Sequence, residues 1–298
     1  MMSQYFPILN GFYDCFYFAM NKLTRREFIK FSGLSFATLM VTTSSILMIG
    51  NEINEPVVKP LTFPIKGLRP GLEGFKIAQI TDIHLEPYTQ VSLVEKAVQM
   101  TNQLHPDVVV LTGDFVWRWA ESAFELGQAL SGLNPRLGVY AVMGNHDYWT
   151  DIRVVQQGFD EARIPVLYNQ GITLSGGKDQ LYLAGMDDGW SGKPDLQAAV
   201  SNAPENAPII LLLHEPDLAD EVAQNSRVNL QLAGHTHGGQ VRIPGPIVLP
   251  YLGRKYEYGL YQVSPEMWVY TNGGLGTISI PYRYHCPPEI TLITLTSG

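Results

Sequence analysis

Short apolar runs that end in histidine, aspartate or asparagine recur along this chain, and they constrain its fold more than any other feature. One of them, residues 228–233, alternates as a β-strand does and leads into Gly234-His235-Thr236-His237. Side chains two positions apart on an extended backbone point the same way, so we expect His235 and His237 to face one site. The same spacing recurs in Asp82-Ile83-His84, where the predicted strand at residues 75–81 stops.

Helical and strand-like patterns alternate along most of the chain. Apolar residues at helical spacing predict helices at residues 91–104, 122–133, 151–162 and 218–224. Strands are predicted at residues 75–81, 108–111, 138–143, 166–168, 181–184, 209–213 and 228–233, and at 267–270, 277–280 and 289–295 in a tail without helices. This order predicts an α/β domain with largely parallel strands. In such sheets, ligands bind beyond the carboxyl ends of the strands.

Polar residues at these strand ends form the candidate site: Asp82, His84, Asp114, Asn145, His146, His214, His235 and His237. Five of the seven histidines of the chain are in this set, whereas His105 and His285 are interpreted as structural histidines. Any one of these residues alone would more often be a helix cap or a packed side chain. Together they suit Mn, Fe, Zn or similar ions, and they are too many for one metal and enough for two. Two adjacent divalent ions are suited to catalysing attack at phosphorus.

The candidate ligands fall into five blocks, in the order Asp-x-His, Gly-Asp, Gly-Asn-His-Asp, His and Gly-His-x-His. This order resembles the calcineurin-like metallophosphoesterase family, and the resemblance covers residues 75–298. It implies an α/β fold, a calcineurin-like β-sandwich of two mixed sheets flanked by helices. It also implies two divalent metal ions, one held by Asp82, His84 and His237 and the other by Asn145, His214 and His235.

The same resemblance implies roles for three further residues. Asp114 would bridge the two metals, and a hydroxide between the metals would attack the phosphoryl group. His146 would face the leaving oxygen as a general acid or as a stabiliser of the transition state. Asp147 would orient His146. The substrate would be a phosphomonoester or a phosphodiester, because the same ligand set serves both.

Aromatic residues follow several of the ligand blocks: Phe115, Trp117, Trp119, Tyr148, Trp149 and Trp190. A rim of such rings suits a nucleobase or an acyl chain. The alternative is ordinary packing, which is the more frequent role of any single tryptophan. Arg118, Arg242 and Arg283 are either contacts for phosphate oxygens or surface residues.

The N-terminal residues are predicted to be a targeting signal and not a part of the fold. Arg25-Arg26 precedes residues 31–50, which carry no charge, and this pattern resembles a twin-arginine export signal. The alternative is a signal anchor, because the apolar run is long enough to span a bilayer. We expect residues 1–50 to be this leader, with Met20 as an alternative start, residues 51–74 to be a linker and residues 75–298 to be the catalytic domain.

The net charge of -8 argues against binding to nucleic acid. The ligand blocks and the leader together resemble the exported, YkuE-like branch of the family. This resemblance implies a two-metal phosphoesterase that is exported across the cytoplasmic membrane to the periplasm or cell wall. Its expected partners are the phosphoester substrate, the twin-arginine translocase and the membrane, which the N-terminal segment would contact. One alternative is a membrane-tethered pyrophosphatase or phosphodiesterase that acts on a lipid-linked substrate. Another is a non-catalytic metal-binding scaffold, which would not need His146 and Asp147.

Overall fold

The structure, a computed structural model, describes residues 53–242, 248–249 and 255–298. Its strands are β1 (Val57–Ile65), β2 (Lys76–Ile80), β3 (Val108–Thr112), β4 (Val139–Val142), β5 (Gln170–Gly176), β6 (Asp179–Gly185), β7 (Ile209–Leu212), β8 (Leu230–Ala233), β9 (Val241–Arg242), β10 (Val248–Leu249), β11 (Gly259–Gln262), β12 (Trp268–Thr271) and β13 (Glu289–Ser297). Its α-helices are α1 (Val91–Gln103), α2 (Ser122–Leu130), α3 (Asn145–Trp149), α4 (Ile152–Glu161), α5 (Leu196–Val200) and α6 (Ala219–Asn225). Short 3₁₀ helices lie at Pro70–Leu72, Pro216–Leu218 and His237–Gly239.

Two mixed sheets form the centre of the fold. The five-stranded sheet has the order β1-β13-β2-β3-β4, with β2, β3 and β4 parallel and β13 antiparallel to β2. The six-stranded sheet has the order β11-β12-β8-β7-β6-β5, with β12, β8, β7 and β6 parallel and an antiparallel strand at each edge. The predicted sandwich of two mixed sheets is therefore confirmed.

Successive residues of the central strands pack into different cores. In β3, Val108 and Val110 pack between the two sheets, whereas Val109 and Leu111 face the helices. Helices α1, α2 and α4 cover the outer face of the five-stranded sheet, and α5 and α6 cover that of the six-stranded sheet. Because both faces of β3 are covered, its sequence is continuously apolar, as predicted.

The segment predicted as a linker, residues 51–74, contains a strand of the sandwich. β1 pairs in parallel with β13 along its whole length, and its Phe63 and Ile65 are buried between the sheets. β1 is an edge strand, where Pro60 and Pro64 are tolerated because only one side of the strand needs ladder hydrogen bonds. The linker prediction is wrong over β1, since these prolines mark a sheet edge.

Two predicted strands are also corrected. Residues 166–168 contribute only an isolated bridge between Val166 and Ala141. Residues 277–280 form an irregular loop, whose backbone bonds to the side chain of Gln240 instead of to a neighbouring strand. The predicted helices are present, and Asp151 caps α4 by accepting a hydrogen bond from the backbone N–H of Arg153 at 3.1 Å.

The predictions for residues 1–50 lie outside the described residues. In the part of the chain that the structure describes, no helix is both long and apolar enough to cross a bilayer.

Candidate metal centre

The carboxyl ends of strands from both sheets bring the candidate ligands together. Asp82 and His84 follow β2, Asp114 follows β3, Asn145 follows β4, His214 follows β7, and His235 and His237 follow β8. Their donor atoms lie within 4.8 Å of one another in three overlapping groups: Asp82, His84 and His237; His84, Asp114 and His146; and Asp114, His214 and His235. The ligands predicted from the five sequence blocks therefore form one centre.

Left-handed backbone turns, rather than a strand pleat, aim most of these side chains. The φ angle is positive at five of them: Asp82 (49°), His84 (47°), Asp114 (55°), His235 (71°) and His237 (54°). This conformation costs a non-glycine residue about 1–3 kcal/mol and is concentrated at functional sites. β8 ends at Ala233, and the two histidines beyond it enter different donor groups. The two histidines do face one site, as expected, but they reach it from left-handed turns and not from extended backbone.

Two glycines of the sequence blocks leave room for the ligand carboxylates. A Cβ atom on Gly144 would collide with Oδ1 of Asp114, and a Cβ on Gly234 would collide with Oδ2 of Asp82. Only glycine allows this close approach of backbone and carboxylate. The glycines in these blocks are therefore requirements of the centre itself.

The first donor group is buried completely. His237 Nε2 lies 3.0 Å from His84 Nε2 and 3.4 Å from Asp82 Oδ1. Burial lowers the pKa of His84 to about 3 and holds the pKa of His237 well below its ordinary value. Both rings are therefore neutral at pH 7, which is the form that binds metals. Burial raises the pKa of Asp82 to about 7.

In the second donor group, a hydrogen bond to the backbone fixes the orientation of the His214 imidazole. His214 Nδ1 lies 2.7 Å from the carbonyl oxygen of Thr112, which can only accept, so Nδ1 carries the proton of this bond. His214 Nε2 then points at Asp114 Oδ2, 3.1 Å away. Asn145 Oδ1 lies 2.9 Å from His235 Nδ1. Burial lowers the pKa of His235 to about 3, so this ring is also neutral at pH 7.

Asp114 lies between the first and second donor groups, which are the two halves of the centre. Its Oδ2 lies 3.4 Å from His84 Nε2 as well as 3.1 Å from His214 Nε2, and its Oδ1 accepts a hydrogen bond from the backbone N–H of His146 at 2.8 Å. Burial would raise the pKa of Asp114, but the neighbouring His214 and His84 outweigh burial and hold this pKa well below its ordinary value. Asp114 is therefore an ionised carboxylate between two sets of nitrogen donors.

The geometry of these donors fits divalent metal ions. His235 Nε2 is buried and has no hydrogen-bond partner among the described residues, and His214 Nε2 lies 3.1 Å from Oδ2 of Asp114. Two imidazole nitrogens 3.0 Å apart, as in His84 and His237, fit two ligands of one ion that lies roughly 2.1 Å from each. Imidazole, carboxylate and amide donors suit Mn, Fe or Zn.

His146 lies beside the donors, at the open side of the centre. Its ring stacks on Trp117 with centroids 4.5 Å apart and planes at 24°, and it meets His84 edge-on at 4.8 Å. Burial lowers the pKa of His146. The ring is partly exposed, whereas the ligands around it are buried.

Asp147 acts on the backbone and not on the ring of His146. Its carboxylate accepts hydrogen bonds from the N–H groups of Asp114 (3.0 Å), Phe115 (2.8 Å) and Gly144 (2.9 Å). It thereby ties the loop after β3 to the loop after β4. The expectation that Asp147 orients the His146 side chain is corrected: Asp147 fixes the two loops that carry Asp114 and His146.

Sequence reasoning missed contacts made through the backbone and assigned two arginines differently. The carbonyl of Thr112, which sets the His214 ring, leaves no signal in a sequence. Arg283 is fully buried; it donates to the Cys286 carbonyl at 3.0 Å, and its Nη2 lies 3.3 Å from His237 Nδ1. Arg242 donates to the Gly238 carbonyl at 2.7 Å. Arg283 is therefore a core residue and not a surface residue, whereas Arg242 is partly exposed and holds the backbone next to His237.

Comparisons with known proteins agree with this centre. Residues 75–239 match the sequence model of the calcineurin-like phosphoesterase family. The chain is 32% identical to the uncharacterized metallophosphoesterase YkuE of Bacillus subtilis (strain 168), over 93% of this chain and 99% of that protein. It is 31% identical to the phosphodiesterase YaeI of Escherichia coli (strain K12), over 74% of this chain and 82% of that protein. It is 32% identical to a transmembrane protein with metallophosphoesterase domain of Danio rerio, over 87% of this chain and 62% of that protein, so it spans less than two thirds of this relative.

The sandwich, the donor groups and these matches define a metal-dependent phosphoric ester hydrolase. The protein belongs to the calcineurin-like phosphoesterase family, as its five sequence blocks predicted.

Proposed function

We propose that this hydrolase works with two divalent metal ions, cleaves phosphodiester or phosphomonoester bonds, and is exported across the cytoplasmic membrane. One observation carries the two-metal proposal: the buried carboxylate of Asp114 lies 3.4 Å from His84 Nε2 of the first donor group and 3.1 Å from His214 Nε2 of the second. A carboxylate with histidine donors on both sides suits a bridge between two cations.

The donor geometry supports a specific assignment of the ligands. The first ion would be held by Asp82, His84 and His237, the second by Asn145, His214 and His235, and Asp114 would contact both. When bound, the ions would supply an activated water and positive charge opposite the phosphoryl oxygens. Mn, Fe and Zn are the candidates that this donor set favours.

His146 is proposed as the group that serves the leaving oxygen. Asp114 accepts from its backbone N–H, and Trp117 fixes the plane of its ring, so His146 is held beside the donors without being needed as a ligand. A neutral imidazole has one N–H, which it can donate to a leaving alkoxide or use to stabilise charge there. Asp147 positions His146 through the backbone contacts described above.

A phosphodiester is the proposed substrate class in preference to a monoester. This preference rests on the relative YaeI, which is named a phosphodiesterase. A lipid-linked phosphoester is the narrower alternative, because the N-terminal apolar run at residues 31–50 would keep the enzyme close to a membrane.

Export by the twin-arginine translocase is proposed from Arg25-Arg26 and the apolar run that follows. Replacing both arginines by lysine is expected to leave the protein inside the cell, as cell fractionation would show. Unchanged export of the double variant would instead favour an ordinary signal anchor.

Metal add-back to the full chain tests the activity. The purified, metal-stripped protein is assayed with Mn, Fe or Zn on bis-p-nitrophenyl phosphate and on p-nitrophenyl phosphate. Asp114→Asn removes the shared carboxylate, and Asp107→Asn is the matched control, because Asp107 precedes β3 and Asp114 follows the same strand. We expect metal-dependent turnover, faster on the diester, that is lost in Asp114→Asn and kept in Asp107→Asn. Absence of turnover with every metal, despite bound ions, would favour a metal-binding scaffold.

A further inference from the structure

Two exposed tryptophans lie directly against the metal centre. Trp149 and Trp190 are each 58% exposed. The Trp149 ring lies 4.7 Å from the ring of His146, and the Trp190 ring meets His235 edge-on at 4.3 Å. One tryptophan thus contacts the proposed leaving-group histidine, and the other contacts a proposed ligand of the second ion. Tryptophans normally bury most of their surface, so this exposure beside a reactive centre suggests a role in binding.

The two indole rings lie next to each other at the surface. Their centroids are 6.5 Å apart, and their planes are inclined by 35°. This distance lies at the far end of the range for paired aromatic rings, so the two rings are not closely stacked on each other. Each ring therefore retains a face that can accept another flat group.

Hydrogen bonds hold the ring of Trp149 and the backbone of the loop that carries Trp190. Trp149 Nε1 donates to Ser191 Oγ at 3.0 Å, which joins the end of α3 to the loop that carries Trp190. In that loop, the backbone N–H of Trp190 donates to Asp188 Oδ1 at 3.1 Å, and the N–H of Gly189 donates to Glu215 Oε2 at 2.9 Å. A ring that is exposed but held in this way loses little conformational entropy when it binds a partner.

We propose that Trp149 and Trp190 form a stacking subsite for a nucleobase on the phosphoester substrate, an inference that rests on the proposed phosphoesterase function. A base attached through its sugar to the phosphoryl group would then lie against the tryptophans while the phosphate lies at the donors. Stacking on aromatic side chains is the general way in which proteins hold bases of any sequence.

The surroundings favour a base over an acyl chain or a second phosphate. An acyl chain gains its binding energy from enclosure by an apolar groove, whereas rings that are 58% exposed offer flat faces. The loop of Trp190 contains the carboxyl groups of Asp187 and Asp188, with Glu215 behind it. The two aspartates are buried and accept hydrogen bonds from the loop itself, so their charge disfavours a second anion beside the tryptophans and suits a neutral group.

Three diesters that share one leaving group test the subsite. They are the methyl esters of adenosine 5′-monophosphate, of ribose 5-phosphate and of octyl phosphate, and their hydrolysis by the metal-loaded full chain is followed by phosphorus NMR. We expect kcat/KM for the adenosine ester to exceed that for the ribose ester at least about 10-fold. In Trp149→Leu and Trp190→Leu this ratio should fall towards one, whereas Trp190→Phe should keep most of it. Trp119→Leu is the matched control, because Trp119 is also exposed but follows a different ligand block.

A second measurement needs neither catalysis nor metal. Adenosine should quench the tryptophan fluorescence of the metal-free full chain more than ribose does, and the difference should shrink in Trp149→Leu and Trp190→Leu. Equal kcat/KM for the adenosine and ribose esters would overturn the subsite, as would a preference for the octyl ester or a base preference that survives both leucine variants. If no diester is hydrolysed with any metal, the proposed function fails, and adenosine quenching then decides the subsite alone.

Discussion

The metal centre has two halves, the donor group that contains His84 and His237 and the donor group that contains His214 and His235. They differ in the side chains that pack against them. Behind the first half lies Arg283, a fully buried side chain whose guanidinium reaches within 3.3 Å of His237 Nδ1. Over the second half lies Trp190, which is 58% exposed and contacts the ring of His235. The ligands of both halves are buried, but the first half packs against a buried side chain, whereas an exposed ring covers the second half. We therefore predict that the first half fixes the structure of the centre and that substrate enters at the second.

Removing one histidine from each half should give the largest effects and should separate these roles. His84→Ala and His235→Ala are each expected to lower kcat/KM at least about 1,000-fold, because each loss of a ligand removes stabilisation of transition-state charge. His84→Ala should also lower the Tm of the metal-free protein more than His235→Ala does, since it leaves a fully enclosed cavity between Asp114 and His237. Calorimetry of the metal-free proteins measures this difference. A larger loss of Tm in His235→Ala would reverse the comparison.

His146→Ala tests whether the centre contains a catalytic group in addition to its metal ligands. We expect kcat to fall by about 100-fold while the number of metal ions per chain stays the same, because His146 is proposed to serve the leaving oxygen and not an ion. Metal content by mass spectrometry and turnover are measured on the same sample. His105→Ala is the control, because His105 is exposed and outside the centre. Loss of an ion from His146→Ala would make this residue a ligand.

A smaller effect is expected from pH, which should change the affinity for metal ions. Each half of the centre contains one ligand that must lose a proton before an ion binds. Burial raises the pKa of Asp82 to about 7, so a proton on this carboxyl must leave before the first ion binds. Burial lowers the pKa of His214, but Asp114 and Asp82 outweigh burial and hold it well above its ordinary value, so the second half also releases a proton. His84, with a pKa of about 3, stays neutral throughout this range.

Metal affinity should therefore fall as the pH falls from 8 to 6. The expected slope is about 10-fold per pH unit for each proton released. Titration calorimetry with Mn²⁺ at pH 6, 7 and 8 measures the slope, and Asp82→Asn should remove the contribution of the first half. An affinity that is constant over this range would show that neither ligand carries a proton.

The sequence predicts which residues form the centre better than it predicts the backbone conformation that orients their side chains. Asp82, Asp114 and His214 were identified because apolar strands stop just before them, and the parallel strands of both sheets do bring these ends together. His235 and His237 reach the centre from left-handed turns and not from the predicted extended backbone, because positive φ angles beyond a strand end leave no periodic signal. The blocks contain a partial signal in Gly144 and Gly234, where any side chain would displace a ligand carboxylate.

The remaining errors have the same physical origin, which is that backbone partners cannot be read from residue types. Asp147 was expected to bond to a neighbouring side chain, but its carboxylate satisfies N–H groups of two loops. Pro60 and Pro64 favour a linker at the position of β1. The strand tolerates both prolines because it lies at the edge of the sheet, where one side needs no ladder hydrogen bonds. The sequence predicts β13 as a strand at residues 289–295, but local composition does not identify the edge strand that pairs with it.

Anomalous diffraction from crystals of the Mn²⁺-loaded protein tests the central proposal most directly. Two peaks per chain are predicted, on opposite sides of the Asp114 carboxylate: one among Asp82, His84 and His237, and one among Asn145, His214 and His235. A single peak, or a second peak away from Asp114, would contradict a shared two-metal centre.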